Sequence, residues 1–157
     1  MKVRLLLLIA VLLWLPTRYA AAQCNDQLIG VSAELLDDFT YIKDIKVRMK
    51  KSKKGKLPYS HKYSVILNKG MKYRFISANA QEFDGQLVFK IYNTQNVMIM
   101  TNYSQSTGKV YDVVDYTCKA SGQYYVEVSF LDGKEGCAVC VLGFKRKKTE
   151  YELYLDN

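Results

Sequence analysis

The chain is poor in proline (two residues) and has a single histidine. Beyond its N-terminal segment it also lacks any long apolar run. Each scarcity excludes something. With His61 as the only histidine, a zinc site has no histidine pair, and a serine or cysteine nucleophile has one residue alone to serve as its base. His61 lies in an alternating run with no orienting group nearby, so it reads as a surface or half-buried strand residue. No acidic group has the spacing of a calcium loop. Asp84 and Asp132 each precede a glycine and read as turn residues. A phosphate-cradling glycine loop is absent. No run after the N-terminus approaches the ~20 residues that cross a bilayer. The expectation is a chain with no cofactor, no metal and no catalytic residue set.

What is present begins with a targeting pattern. Lys2 and Arg4 precede an apolar run from Leu5 to Leu15, then Pro16 and Ala20-Ala21-Ala22, the order of a secretory signal. Residues 1–22 are predicted to be that signal. Gln23 stands where an acylation signal wants a small residue before Cys24, so ordinary cleavage is favoured over lipidation. Removing the 22 residues from 157 leaves 135, a size for one domain. The loss of Lys2, Arg4 and Arg18 takes the formal charge from +8 to +5. Four cysteines outside the signal, in an exported chain, predict disulfides.

Thirteen tyrosines and six phenylalanines with so little proline favour strands. Residues 23–38 have no clean period and read as a lead-in, with at most one helical turn at Ala33-Glu34-Leu35-Leu36. From there the pattern alternates. Ile45, Val47 and Met49 oppose Lys46, Arg48 and Lys50. Tyr59, His61, Tyr63, Val65 and Leu67 share one face, and after Asn68-Lys69-Gly70 come Met71, Tyr73 and Phe75, which predicts a hairpin. Leu87, Phe89 and Ile91 alternate, Val97 to Thr101 and Val110 to Cys118 are extended, and Tyr124, Val126, Val128 and Phe130 form the clearest face. With Cys137 to Phe144, the stretch from Ser121 to Phe144 reads as a closing hairpin. About eight strands without a long helix must stack two sheets to bury their apolar faces. The expected fold is an all-β, antiparallel, jelly-roll-like β-sandwich over residues 39–145, followed by a tail at 146–157. The tail's Glu150 to Asn157 mixes acids with aromatic and aliphatic residues, suited to a last strand, to docking on a partner, or to disorder.

Tyr63 to Phe75, the Leu87 to Tyr92 strand and Ser-Gly-Gln-Tyr-Tyr-Val-Glu-Val-Ser-Phe at 121–130 resemble the order of motifs in bacterial pre-peptidase C-terminal domains, small jelly-roll-like sandwiches appended to secreted enzymes. Leu-Asn-Lys-Gly with Tyr-Arg-Phe, then Asp-Gly-Lys-Glu-Gly-Cys-Ala-Val, is similar to an uncharacterised group of small exported proteins of Gram-negative bacteria. The likeness covers most of residues 39–144 and consists of turns and core positions, so it implies a fold and no catalytic role. Cys140 departs from that group, which tends to have glycine there.

Cys137-Ala138-Val139-Cys140 has the spacing of a redox pair. A working dithiol normally opens a helix, whereas Val139, Val141 and Leu142 make this run a strand. Three extended residues span ~10 Å and bridged α-carbons lie within ~7 Å. The two cysteines are therefore expected to face opposite sides and not to bridge each other. Cys24, Cys118 and Cys137 are the disulfide candidates, with one bridge from Cys24 to either of the others, and Cys140 reads as a small buried residue.

Lys46, Arg48, Lys50, Lys51, Lys53, Lys54 and Lys56 place seven cations in eleven positions without an acid, and Lys145-Arg146-Lys147-Lys148 adds a second run. If the fold joins them, they form a patch for an anionic glycan, lipid head groups or an acidic protein. The competing reading is an edge strand and loop kept from pairing by their charge. Export and the lack of an aromatic-basic RNA motif argue against nucleic acid. Asn102-Tyr103-Ser104 is a glycosylation sequon only in a eukaryotic source, which the resemblance argues against. The function expected is a non-catalytic exported module, periplasmic or extracellular and open to outer-membrane association, that contacts a protein or anionic envelope glycan. The alternatives are a subunit of an envelope assembly or secretion complex, and a thiol-disulfide oxidoreductase using Cys137 and Cys140.

Overall fold

The structure, a computed structural model, describes residues 26–146. The predicted signal, Cys24 and the tail beyond Arg146 lie outside the described residues. Helix α1 (Asp26–Glu34) is followed by strands β1 (Thr40–Met49), β2 (Ser60–Leu67), β3 (Lys72–Asn79), β4 (Leu87–Tyr92) and β5 (Met98–Thr101). A small two-stranded ribbon, β6 (Tyr103–Ser104) and β7 (Lys109–Val110), leads to β8 (Val113–Thr117), β9 (Gly122–Phe130) and β10 (Gly136–Lys145). One four-stranded sheet has the order β1-β10-β3-β8 and the other β2-β9-β4-β5.

All pairings are antiparallel. β1 pairs with β10, β2 with β9, β3 with β8 and β4 with β5, a nest like one long hairpin. Rolling that hairpin up adds β10 to β3 and β9 to β4. The result is a jelly roll of eight principal strands, as the alternation predicts. Val47, Val65, Leu67, Phe75, Phe89, Ile91, Val126, Val128 and Phe130 fill the space between the sheets, all buried.

The two expected hairpins do not form. β2 and β3 lie in different sheets, as do β9 and β10, so Asn68–Gly70 and Asp132–Glu135 carry the chain across the sandwich. Alternation says which face of a strand is apolar but not which sheet the strand joins, because both sheets turn their apolar faces to the same core. The crossings are fastened to one another instead. Gly70 N–H donates to Cys118 O and Cys118 N–H to Met71 O, both at 2.9 Å, joining the β2–β3 and β8–β9 connections.

The lead-in also differs from expectation. α1 is a nine-residue helix laid over the outer face of β3 and β10. Leu36 and Phe39, with Leu28 and Ile29, cover Ile76, Val139 and Val141 in a second, smaller core. This explains why β10 is buried from Gly136 to Gly143 without a break: a strand covered on both faces reads as a continuous apolar run. Arg74 holds the end of the cover. Its guanidinium pairs with Asp115 through Nε (2.8 Å) and Nη2 (3.1 Å), Nη1 donates to the Leu35 carbonyl (3.2 Å), and it stacks 4.2 Å from the Phe39 ring centroid.

Candidate functional site

The sequence places its basic residues on β1 and the chain after it, and the fold decides which of them meet. Lys46 and Arg48 project from the solvent side of β1, an edge strand, opposite buried Ile45, Val47 and Met49. Arg48 lies over the Phe83 ring at 5.7 Å. Lys50, Lys51, Lys53, Lys54 and Lys56 occupy the β1–β2 connection, all exposed. Lys145 ends β10 and pairs with Asp38. Thr40 stands opposite Phe144 and Met49 opposite Gly136, so Lys145 and Arg146 sit at one end of the β1–β10 ladder and the lysine loop at the other. Ten residues of strand separate the two basic runs by about 30 Å. The single patch imagined from the sequence is thus two separate places. Lys147 and Lys148 lie outside the described residues.

The loop is a built object. Ser52 is its clasp: the Ser52 N–H donates to Gly133 O at 2.8 Å, and Ser52 Oγ accepts from the Tyr59 N–H at 3.1 Å. The two bonds draw residues 52 and 59 together and tie the neck to the β9–β10 crossing, giving a short loop with closed ends. Gly133 permits the approach. Its φ is +62°, and a β-carbon there would fall 2.8 Å from Ser52 Cβ. Inside the loop, Lys56 N–H donates to Lys53 O (3.0 Å), a turn completed by Gly55 at φ +77°. Among the described residues, no ion pair holds Lys50, Lys51, Lys53, Lys54 or Lys56. Lys51 borders a depression of about 360 Å³ with Lys134, Phe83 and the carboxylates of Glu82, Asp84 and Glu135. Lys53, Lys54 and Lys56 are not among the residues that line it.

Two residues that sequence reasoning missed stand beside those lysines. Leu57 is 90% exposed and Tyr59 is 50% exposed. The alternation places Tyr59 on the face of β2, but β2 begins at Ser60 and Tyr59 belongs to the loop neck. The signal available was Leu57-Pro58-Tyr59 itself, apolar residues between a lysine run and a strand.

The three described cysteines, Cys118, Cys137 and Cys140, are all buried. Cys137 is disulfide-bonded, while Cys118 and Cys140 are free and buried. A bridge to Cys118, one of the two options drawn from the sequence, is therefore not made. Cys140 faces the inter-sheet core beside Ala138 and Leu142, and Cys137 faces the other way, with Val139 and Val141. Burial pushes the Cys140 thiol up to about 12, so it stays protonated and inert at neutral pH. The sequon is closed as well. Asn102 is fully buried, its Nδ2 donating to Leu87 O (3.0 Å) and Tyr111 O (3.2 Å) and its Oδ1 accepting from Phe89 N–H (2.8 Å). His61 is exposed. Among the described residues no group of three or more metal-ligating side chains converges, and no helix is long and apolar enough to cross a membrane.

The topology defines the class: an all-β jelly-roll sandwich with one covering helix. Among solved structures, the chain is similar to PliG of Aeromonas hydrophila, a periplasmic lysozyme inhibitor of g-type lysozyme, with a TM-score of 0.49 and 10% identity over 68% of this chain and 88% of that one. A likeness of that size carries no functional argument. No family model and no curated protein matches the chain.

Proposed function

We propose that the chain is a non-catalytic exported binding module that contacts a protein partner of acidic surface through the loop at residues 50–59. The observation that carries this reading is the clasped loop, which holds Lys53, Lys54 and Lys56 in solvent with no carboxylate in ion-pair reach. Exposed lysines scattered on a flexible segment are ordinary. A loop closed at its neck by Ser52 and backed by Gly133 keeps its charges in one place, which lowers the ordering cost of association and steers an oppositely charged partner. The edge lysines of β1 keep their other role, blunting a strand edge. The oxidoreductase alternative loses its footing in the buried, protonated Cys140.

The test compares the immobilised full chain with a Lys53→Glu, Lys54→Glu, Lys56→Glu variant in an envelope extract of the cells that make it. The wild type is expected to hold a protein that salt releases and that the variant does not retain, with unchanged circular dichroism. Equal capture by the two chains overturns the assignment of the contact to this loop.

A further inference from the structure

We propose that Leu57, with Tyr59, is the apolar anchor of this contact, and that the partner's complementary surface is an apolar pocket ringed by carboxylates; this rests on the loop-mediated protein contact proposed above. Leu57 is more exposed than any other large apolar side chain among the described residues, at 90%. Pro58 confines Leu57 to extended backbone, and the Ser52 bonds to Tyr59 and Gly133 fix both sides of the neck. The backbone that carries Leu57 is therefore held in place before binding, which lowers the ordering cost of a contact made through it. Lys53, Lys54 and Lys56 precede it in the same loop.

This composition separates two kinds of partner. An anionic polymer would engage the lysines and leave Leu57 and Tyr59 in water. A protein pocket uses all of them, with aromatic and aliphatic groups desolvated at the centre and charge at the rim. The rim has to be acidic, because the three lysines have no acid of their own loop to neutralise them.

Three full-length chains test the inference: wild type, Leu57→Ser, and the triple lysine-to-glutamate variant. A photo-crosslinking residue at position 57 is compared with one at Ile66, 76% exposed on β2 and away from the loop. Position 57 is expected to crosslink to a protein segment in which apolar residues alternate with Asp or Glu, and position 66 is not. Leu57→Ser is expected to lower capture of that protein about tenfold or more. Capture that survives Leu57→Ser but fails in the lysine variant overturns the anchor and leaves the loop contact standing. Capture indifferent to both variants overturns both. Inorganic polyphosphate bound equally by wild type and Leu57→Ser, with no protein crosslinked from position 57, makes the loop a polyanion site and also overturns the anchor.

Discussion

Gly136 has no side chain because the Phe130 ring occupies the space a β-carbon would need. Gly136→Ala should therefore displace Phe130, itself 2% exposed, and lower stability by about 1–3 kcal/mol in urea unfolding. Asn102→Ala removes three hydrogen bonds inside a fully buried site and strands the Phe89 N–H; a loss of about 2–4 kcal/mol is expected from the same measurement. The Arg74 guanidinium beside Asp115 holds its carboxyl below the usual range, with Lys72 assisting. Because the folded-state value is depressed, the pair contributes stability above the ordinary carboxylate range, and that contribution is lost as pH falls through the lowered native value. Asp115→Asn should thus cost about 1 kcal/mol or less at neutral pH, and wild type and variant should converge in thermal unfolding as the pH drops below ~4. Cys137 is bonded and the other two described cysteines are free, which leaves Cys24 as the expected partner. Peptide mapping without reduction should recover residues 24 and 137 in one linked fragment, and Cys140 should alkylate only after unfolding.

At the scale of elements, the strands were legible and their company was not. Ile45-Lys46-Val47-Arg48-Met49 announces a half-buried strand, since its two faces differ in chemistry. Tyr124 to Phe130 does the same. The unbroken apolar run of β10 hinted at a cover on its second face, but the cover is a short helix whose sheet-facing residues are only half-buried Leu28 and Ile29 and buried Ser32, continued by Leu36 and Phe39 in the turn after it, too few residues to impose a period. Gly143 shows the fit, because a β-carbon there would collide with Leu36. Gly143→Val should push the Leu36 end of the cover off the sheet, and amide exchange across α1 should accelerate while β9 stays protected. The lysines of the loop were legible in the same way, and the clasp was not: Ser52 and Gly133 lie far apart in the chain and meet because the fold brings the β1–β2 and β9–β10 connections together.

For the whole molecule, nesting sets the order in which contacts can form. β1 waits for β10 and β2 for β9, pairs from opposite ends of the chain. Folding rates fall as contacts become less local, and sandwiches of this kind fold on the order of milliseconds to seconds. Stopped-flow refolding should show that slow limb.

The antiparallel course of β1 and β10 also orients the molecule. Gln27 and Leu28, near the start of the described chain, line a depression with Ala78 and Ala80 toward the loop's end of the sandwich, and the described chain leaves at Arg146 by the opposite end. A tether attached after Arg146 would hold the body like a stalk, with Leu57 about 30 Å outward of the attachment. A tether before Asp26 would bring the same loop down toward the surface. Which terminus is grafted to a bead, a tag or a membrane therefore sets whether the loop is on display or in shadow.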